Sequence, residues 1–229
     1  MAHPGKTLLV VGSGPGIGRA VTMLFGSKRY SNVVLVARRA AQLKVEQAAV
    51  EQAVGPQVTI KTCAVDITDT DALLKALNDA DEALGKPECV FFNAARVLPS
   101  SLLDHSVKDV EYDFKINVSA LYTLAQRYMP HLVALAKADP AASKPALIVT
   151  SSMLPMEPIP QLFVLSLIKA AQRNLVQSLS MTYGPQGVLV GVINVAGPVA
   201  PTDTVRNPTD IAAKTWEWFE KGNDFEVVI

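Results

Sequence analysis

The stretch "VVGSGPGIGRA" (residues 10–20) decides how the rest of the chain is read. Its glycines, Gly12, Gly14, Gly16 and Gly18, lie between the apolar run "KTLLVVG" (6–12) and a segment of helical character at 16–28. Residues without a Cβ let the backbone approach a pyrophosphate, and a helix start presents N–H groups and the positive end of its dipole. A glycine pattern alone is weak evidence. A strand before it, a helix after it and a succession of βα units behind it supply the context that gives it meaning. Gly12, Ser13, Gly14, Gly16, Ile17 and Gly18 are therefore the candidate phosphate-binding residues.

Outward from that turn, short apolar runs alternate with longer amphipathic ones. Strands are expected at 32–38, 57–66, 88–95, 145–152 and 188–195, with a possible edge strand at 225–229. Helices are expected at 40–54, from Asp69 as cap to about 83, over 108–136 with Pro130 inside, at 161–183 and at 207–222. Near-continuous apolar strands separated by helices predict a parallel sheet covered on both faces. Right-handed crossovers make it doubly wound: a three-layer α/β sheet of Rossmann type, one domain over 1–229 with a short substrate-side segment at about 196–206.

Composition agrees. The 229 residues are 49% apolar, and 21 basic residues balance 21 acidic ones, so nothing points to nucleic acid or an anionic membrane as partner. No apolar run reaches about 18 residues, so no membrane span is expected, and the cytoplasm is the default location. Cys63 and Cys89 read as buried free thiols. No metal site is expected.

The second strand ends "VARR". An acidic residue there would bond the ribose 2′-hydroxyl of NAD. Ala37 followed by Arg38 and Arg39 instead leaves room for a 2′-phosphate and two guanidinium groups to meet it, so NADP(H) is the expected cofactor.

Several further motifs, in order, resemble the short-chain dehydrogenase/reductase family over about residues 6–200. "VDITD" (65–69) is similar to the adenine-side motif and implies contacts from Asp66 and Ile67. "FNAA" (92–95) resembles an Asn-Asn-Ala-Gly segment, keeping Asn93 and Ala94. "INVSA" (116–120) places Asn117 at the helix asparagine that helps hold a proton-relay water. "IVTSS" (148–152) supplies the active-site serine, for which spacing favours Ser152. "VAGPV" (195–199) resembles the Pro-Gly segment against the nicotinamide, implicating Gly197 and Val199, with Ala196 where proline is usual. "LSLIK" (165–169) occupies the Tyr-x-x-x-Lys position: Lys169 is kept, but Leu165 stands where the family has its tyrosine.

That departure shapes the functional expectation. The resemblance implies an oxidoreductase in which Ser152, Lys169 and Asn117 are the catalytic set, with Lys169 also on the cofactor. Leucine neither gives nor takes a proton, and loss of a positioned acid costs 10²–10⁴ in rate, so simple ketones are expected to be poor substrates. Three readings follow. One is an atypical reductase of a C=N or polarised C=C bond. Another is a non-redox cyclase or isomerase that keeps NADP(H) bound. The third is a non-catalytic NADP(H)-binding regulator. The loop 151–165 is rich in Met, Leu, Ile and Phe, which suits a bulky apolar small-molecule substrate. Glu157 is its carboxylate. Short, tyrosine-less chains of this kind resemble tailoring enzymes of secondary metabolism. The helices at 108–136 and 161–183 are apolar over much of their circumference and need cover on more than one side, and the resemblance implies a homodimer or homotetramer built on them.

Overall fold

The computed structural model describes residues 3–222 and 224–229, and the side chains of residues 3 and 4 are not among what it describes. The expected span of 1–229 thus includes Met1, Ala2 and Asn223, which lie outside the described residues. The strands are β1 His3–Val11, β2 Tyr30–Ala37, β3 Thr59–Ala64, β4 Cys89–Phe92, β5 Ala146–Ser152, β6 Leu189–Val195 and β7 Glu226–Val228. All their pairings are parallel, in the order β3-β2-β1-β4-β5-β6-β7. The helices are α1 Ile17–Lys28, α2 Ala40–Val54, α3 Thr70–Leu84, α4 Val107–Phe114, α5 Ala120–Ala138, α6 Phe163–Tyr183 and α7 Pro208–Lys221.

The strands read as unbroken apolar runs because both faces are buried. Successive side chains point to opposite sides of a strand. Leu8 and Val10 join α1, α2 and α7 in one core through Val21, Phe25, Leu43 and Trp218. Leu9 and Val11 join α3, α5 and α6 in the other through Leu77, Leu124 and Val176. The α/β, doubly wound, three-layer expectation is what the structure shows.

Local chemistry sets several boundaries. The Asp69 carboxylate accepts from Ala72 N and caps α3, and Gly85 follows that helix at φ +78°. The helix expected over 108–136 is not continuous. Its α-helical turns open into a π segment at Lys115–Ser119 before α5. A π turn widens the helix by one residue and commonly sits at functional positions. Pro130 lies inside α5.

The two cysteines are free and sit on β3 and β4. Two strands lie between those, a separation of about 14 Å at ordinary strand spacing, far beyond disulfide reach.

The strand order reverses between β1 and β4. In such sheets ligands bind outside the carboxyl ends of the strands at that crevice. The turn after β1, the segment after β4 and the ends of β5 and β6 all meet there.

Candidate active site

The glycine turn is bolted to the sheet from two directions. Gly12 N and Ser13 N both donate to Val36 O, at 2.9 and 3.0 Å. Asn93 Nδ2 donates to Gly12 O at 3.0 Å, while Asn93 N donates to Val11 O at 2.7 Å. Gly12 is at φ +92°, and a Cβ there would lie 2.4 Å from Ala94 N. At Gly18 it would lie 2.9 Å from Gly12 O. Both glycines are thus demanded by the protein itself.

Gly14 and Gly16 differ. A Cβ built on either meets nothing within 4 Å. Protein packing does not require glycine at these positions, whereas a ligand lying against the turn would. The cap of α1 is Gly16, which supplies no side-chain bond to the first N–H groups of the helix.

A cleft of about 280 Å³ runs from this turn along the ends of β2 and β3. It is lined by Gly12, Ser13 and Gly14, by Arg38, Arg39 and Gln42, by Asp66 and Ile67, and by Asn93 and Ala94. Neither Arg38 nor Arg39 is in an ion pair among the described residues. Arg38 Nη1 donates to Tyr112 Oη at 3.3 Å, and that phenol donates to Asp66 Oδ2 at 3.4 Å. The Asp66 carboxyl lies below its ordinary range. Desolvation opposes this, but bonds from Thr68 N and Oγ1 and the charge of Arg38 outweigh it. The nearer arginine, Arg19, is committed elsewhere. Its guanidinium forms a two-bond pair with the buried Glu46, at 2.7 and 2.9 Å, which ties α1 to α2.

Asn93 and Ala95 are shared with a second, larger cavity of about 860 Å³. Its walls are Ile17, Val97, Met153, Leu154, Ile159, Leu162 and Leu165, with Val195–Val199 along one side. The expected Gly197, Val199 and Ser152 line it, as do Ser151, Thr150, Glu157 and Lys169. Met156 and Phe163, from the apolar loop 151–165, do not. Ser152 Oγ accepts from Leu154 N at 3.3 Å, so its O–H remains available to a ligand. Ser13, Thr150 and Ser151 each carry a buried hydroxyl without a partner, and all three line one or other cavity. Buried polar groups seek partners, so these orphans together with the open glycines fit a dinucleotide with a substrate beside it.

Lys169 is 6% exposed. Its ammonium donates to Thr150 O at 2.9 Å and to Gln172 Oε1 at 2.7 Å, and no carboxylate pairs with it among the described residues. Burial pushes the amine down to about 7. Asn117 behaves differently from the other candidates. It is fully buried on the π segment, donates through Nδ2 to Asp113 O at 3.0 Å, and lines neither cavity. Its link to the site is indirect: Gln172 Nε2 donates to Asn117 O at 2.7 Å. Sequence reasoning missed Gln172. Its signal was a glutamine three residues after Lys169, on the apolar face of α6.

The shifted lysine has a stability consequence. Between about pH 7 and the ordinary lysine value near 10.4, the unfolded chain holds a proton on Lys169 that the folded chain does not. The cost of burying this charge is fully present below about pH 7 and is relieved as pH rises through that window. Urea unfolding is expected to show the wild type gaining roughly 2 kcal/mol more than Lys169→Met between pH 7 and 9. Equal gains in the two proteins would remove the assigned cause.

Among the described residues no helix is long and apolar enough to cross a membrane, and no cluster of metal-ligating side chains occurs.

The chain is similar in sequence or in fold to several known proteins. An uncharacterized oxidoreductase of Listeria monocytogenes is 25% identical over 92% of this chain and 80% of its own length. A glucose 1-dehydrogenase of Gluconobacter oxydans is 25% identical over 86% of this chain and 71% of its own. Among solved structures, the L-sorbose reductase of Gluconobacter frateurii complexed with NADPH and L-sorbose superposes with a TM-score of 0.85 at 17% identity, covering 100% of this chain and 96% of its own. A short chain oxidoreductase of Pseudomonas aeruginosa PAO1, with an atypical catalytic center, does so at 0.82 and 17%, covering 98% and 95%. At such identities the structures speak to the fold alone. The short chain dehydrogenase family profile matches residues 6–211. With a match running through every element from β1 to the start of α7, this protein belongs to the short chain dehydrogenase family of oxidoreductases.

Proposed function

We propose that the protein is an NADP(H)-dependent reductase of a bulky apolar biosynthetic intermediate, acting on a C=N or polarised C=C bond rather than a simple ketone. One observation carries this reading. A mostly apolar cavity of about 860 Å³ opens against the glycine-turn cleft, and its wall holds Ser152, Lys169 and Leu165, the last at the position that the sequence resemblance gives to the family's tyrosine. Gly12, Ser13, Gly14, Gly16, Ile17 and Gly18 would hold the pyrophosphate. Asp66 and Ile67 would flank the adenine, with Asn93 and Ala94 beneath. Lys169, Gly197 and Val199 would face the nicotinamide end. When bound, the cofactor supplies a hydride. The chain's residues orient the substrate, keep water from it while it is bound and place Ser152 at its polar end.

Support for the phosphorylated form of the cofactor comes from Arg38 and Arg39 at the cleft. Replacing either arginine by alanine is expected to weaken NADPH binding about tenfold while leaving NADH binding unchanged, which titration calorimetry reads directly. Equal losses for the two cofactors would assign the arginines to something other than the 2′-phosphate.

The reaction is tested by NADPH oxidation with an enone, an imine and a ketone, each large and apolar. Turnover of the first or second but not the third supports the proposal. Product formed without NADPH consumption would select the non-redox reading. Self-association belongs to the same proposal. Phe114, Tyr122, Leu167 and Met181 stand exposed on α4, α5 and α6, and sedimentation of the purified chain tests whether those helices pair.

A further inference from the structure

The surroundings of Lys169 narrow the substrate. Two of its three N–H groups are committed to Thr150 O and Gln172 Oε1, which leaves one for whatever fills the cavity it lines. Gln172 is fully buried, and its orientation is forced. With Oε1 on the ammonium and Nε2 on the Asn117 carbonyl, both ends are satisfied. Flipped, a donor would face a donor and an acceptor an acceptor. The carboxamide therefore aims Lys169 and also blocks its rear, because a neutral amide is too weak an acid and too weak a base to relay a proton from the ammonium to a backbone carbonyl. Any proton Lys169 gives or takes travels through the cavity.

Among the described residues no charge balances it. Glu157 is the carboxylate of the cavity wall and is exposed. Asp113, on α4, pairs with Arg96 and touches this network only through its backbone carbonyl. Arg173, the next charge along α6, pairs with Glu226. The β5 and β6 residues lining the cavity are neutral. The cavity wall at Lys169 is thus cationic whenever the lysine holds its proton, and a positively charged substrate would meet that charge in an apolar, weakly screening wall.

We propose that the site takes a neutral α,β-unsaturated carbonyl compound, with Lys169 giving its proton to the enolate oxygen that reduction creates and Gln172 acting as the positioning residue that aims it. This rests on the reductase reading above and narrows it from C=N or C=C to C=C. The step balances. One electron pair arrives with the hydride at the β-carbon. The C=C pair moves between the α-carbon and the carbonyl carbon, and the carbonyl π pair moves to oxygen. Oxygen takes a proton from the ammonium, and nitrogen keeps the N–H bonding pair as a neutral amine, a form the apolar wall tolerates. The enol becomes the ketone in water, and Lys169 regains a proton from water entering the cavity. An iminium needs no proton and places its charge beside an unbalanced ammonium.

The test uses benzylideneacetone and an N-methyl-dihydroisoquinolinium salt as probes, saturating NADPH, and side-chain amine NMR on the cofactor-free protein with Lys169→Met to assign the signal. The enone is expected to oxidise NADPH at least about tenfold faster than the iminium, and Lys169→Met is expected to lose 10²–10⁴ of that rate while calorimetry still shows NADPH bound. The lysine signal is expected to titrate near neutrality, with enone turnover falling as pH rises through the same point. Gln172→Leu removes a bond to the charged form and should move both downward together; Gln172→Glu should move both upward. Circular dichroism confirms that each variant is folded. Enone turnover within about threefold of wild type in Lys169→Met, preference for the iminium, or a rate limb that moves without the amine titration would overturn the lysine's role alone. NADPH bound but oxidised with neither probe would overturn the reductase reading, and this proposal with it.

Discussion

Leu165→Tyr is expected to raise reduction of a bulky ketone by 10²–10⁴, the range a positioned acid commonly supplies. Position 165 is four residues before Lys169 on α6, so the two side chains share a face one turn apart. Leu165 lines the large cavity and is 8% exposed. A phenol there would extend into open volume rather than into packed core, which keeps the cost of the larger side chain to about 1 kcal/mol. The ammonium one turn on would favour the phenolate and so lower the tyrosine's pKa. In a ketone the hydride lands on the carbonyl carbon itself, so the proton must arrive beside that carbon. In an enone it lands two atoms away, and the oxygen is displaced toward another donor. The substitution should therefore help ketones far more than enones. Leu165→Phe is the control, with the ring but not the hydroxyl. NADPH oxidation that rises no further in the tyrosine variant than in the phenylalanine one would mean that something other than the absent acid excludes ketones.

The second large effect separates glycines that look alike in sequence. Gly14→Val is expected to leave stability within about 1 kcal/mol, because nothing lies within 4 Å of a Cβ there, yet to weaken NADPH binding about 100-fold, equivalent to about 2.7 kcal/mol. The valine would occupy the space against which a pyrophosphate lies. Gly12→Val should do the opposite kind of damage. Its φ of +92° is strained for any other residue, and its Cβ would sit 2.4 Å from Ala94 N and 2.7 Å from Asn93 C, backbone that is itself pinned to Val11. A loss of about 3 kcal/mol or more in stability is expected, read by urea unfolding. If calorimetry gave Gly14→Val wild-type affinity for NADPH, no phosphate would rest on this turn.

The amino-acid sequence by itself determined the features that depend on neighbours a few residues apart. Alternating apolar strands and amphipathic helices, a glycine turn between the first pair and a cap at Asp69 all come from local periodicity and backbone preference. So does the placement of Leu165 and Lys169 on one helical face. Those readings carried the sheet class, and most candidate residues do line one cleft or cavity. Tertiary structure alone decided the rest. Arg19 is next to the glycine turn, but a carboxylate 27 residues on, brought alongside by the packing of α2 on α1, engages its guanidinium in a two-bond pair. Asn117 is set back by a π turn that no helical periodicity announces, and its carbonyl meets Gln172 across 55 residues. Gly12 and Gly14 part company because Ala94, two residues past β4, comes up beneath Gly12, whose φ is also +92°. Each of these outcomes depends on which strands are neighbours and how two helices pack, energies shared among residues distant in the chain. A window of sequence holds the spacing of a side chain along its own element, but not the identity of what the fold places opposite it.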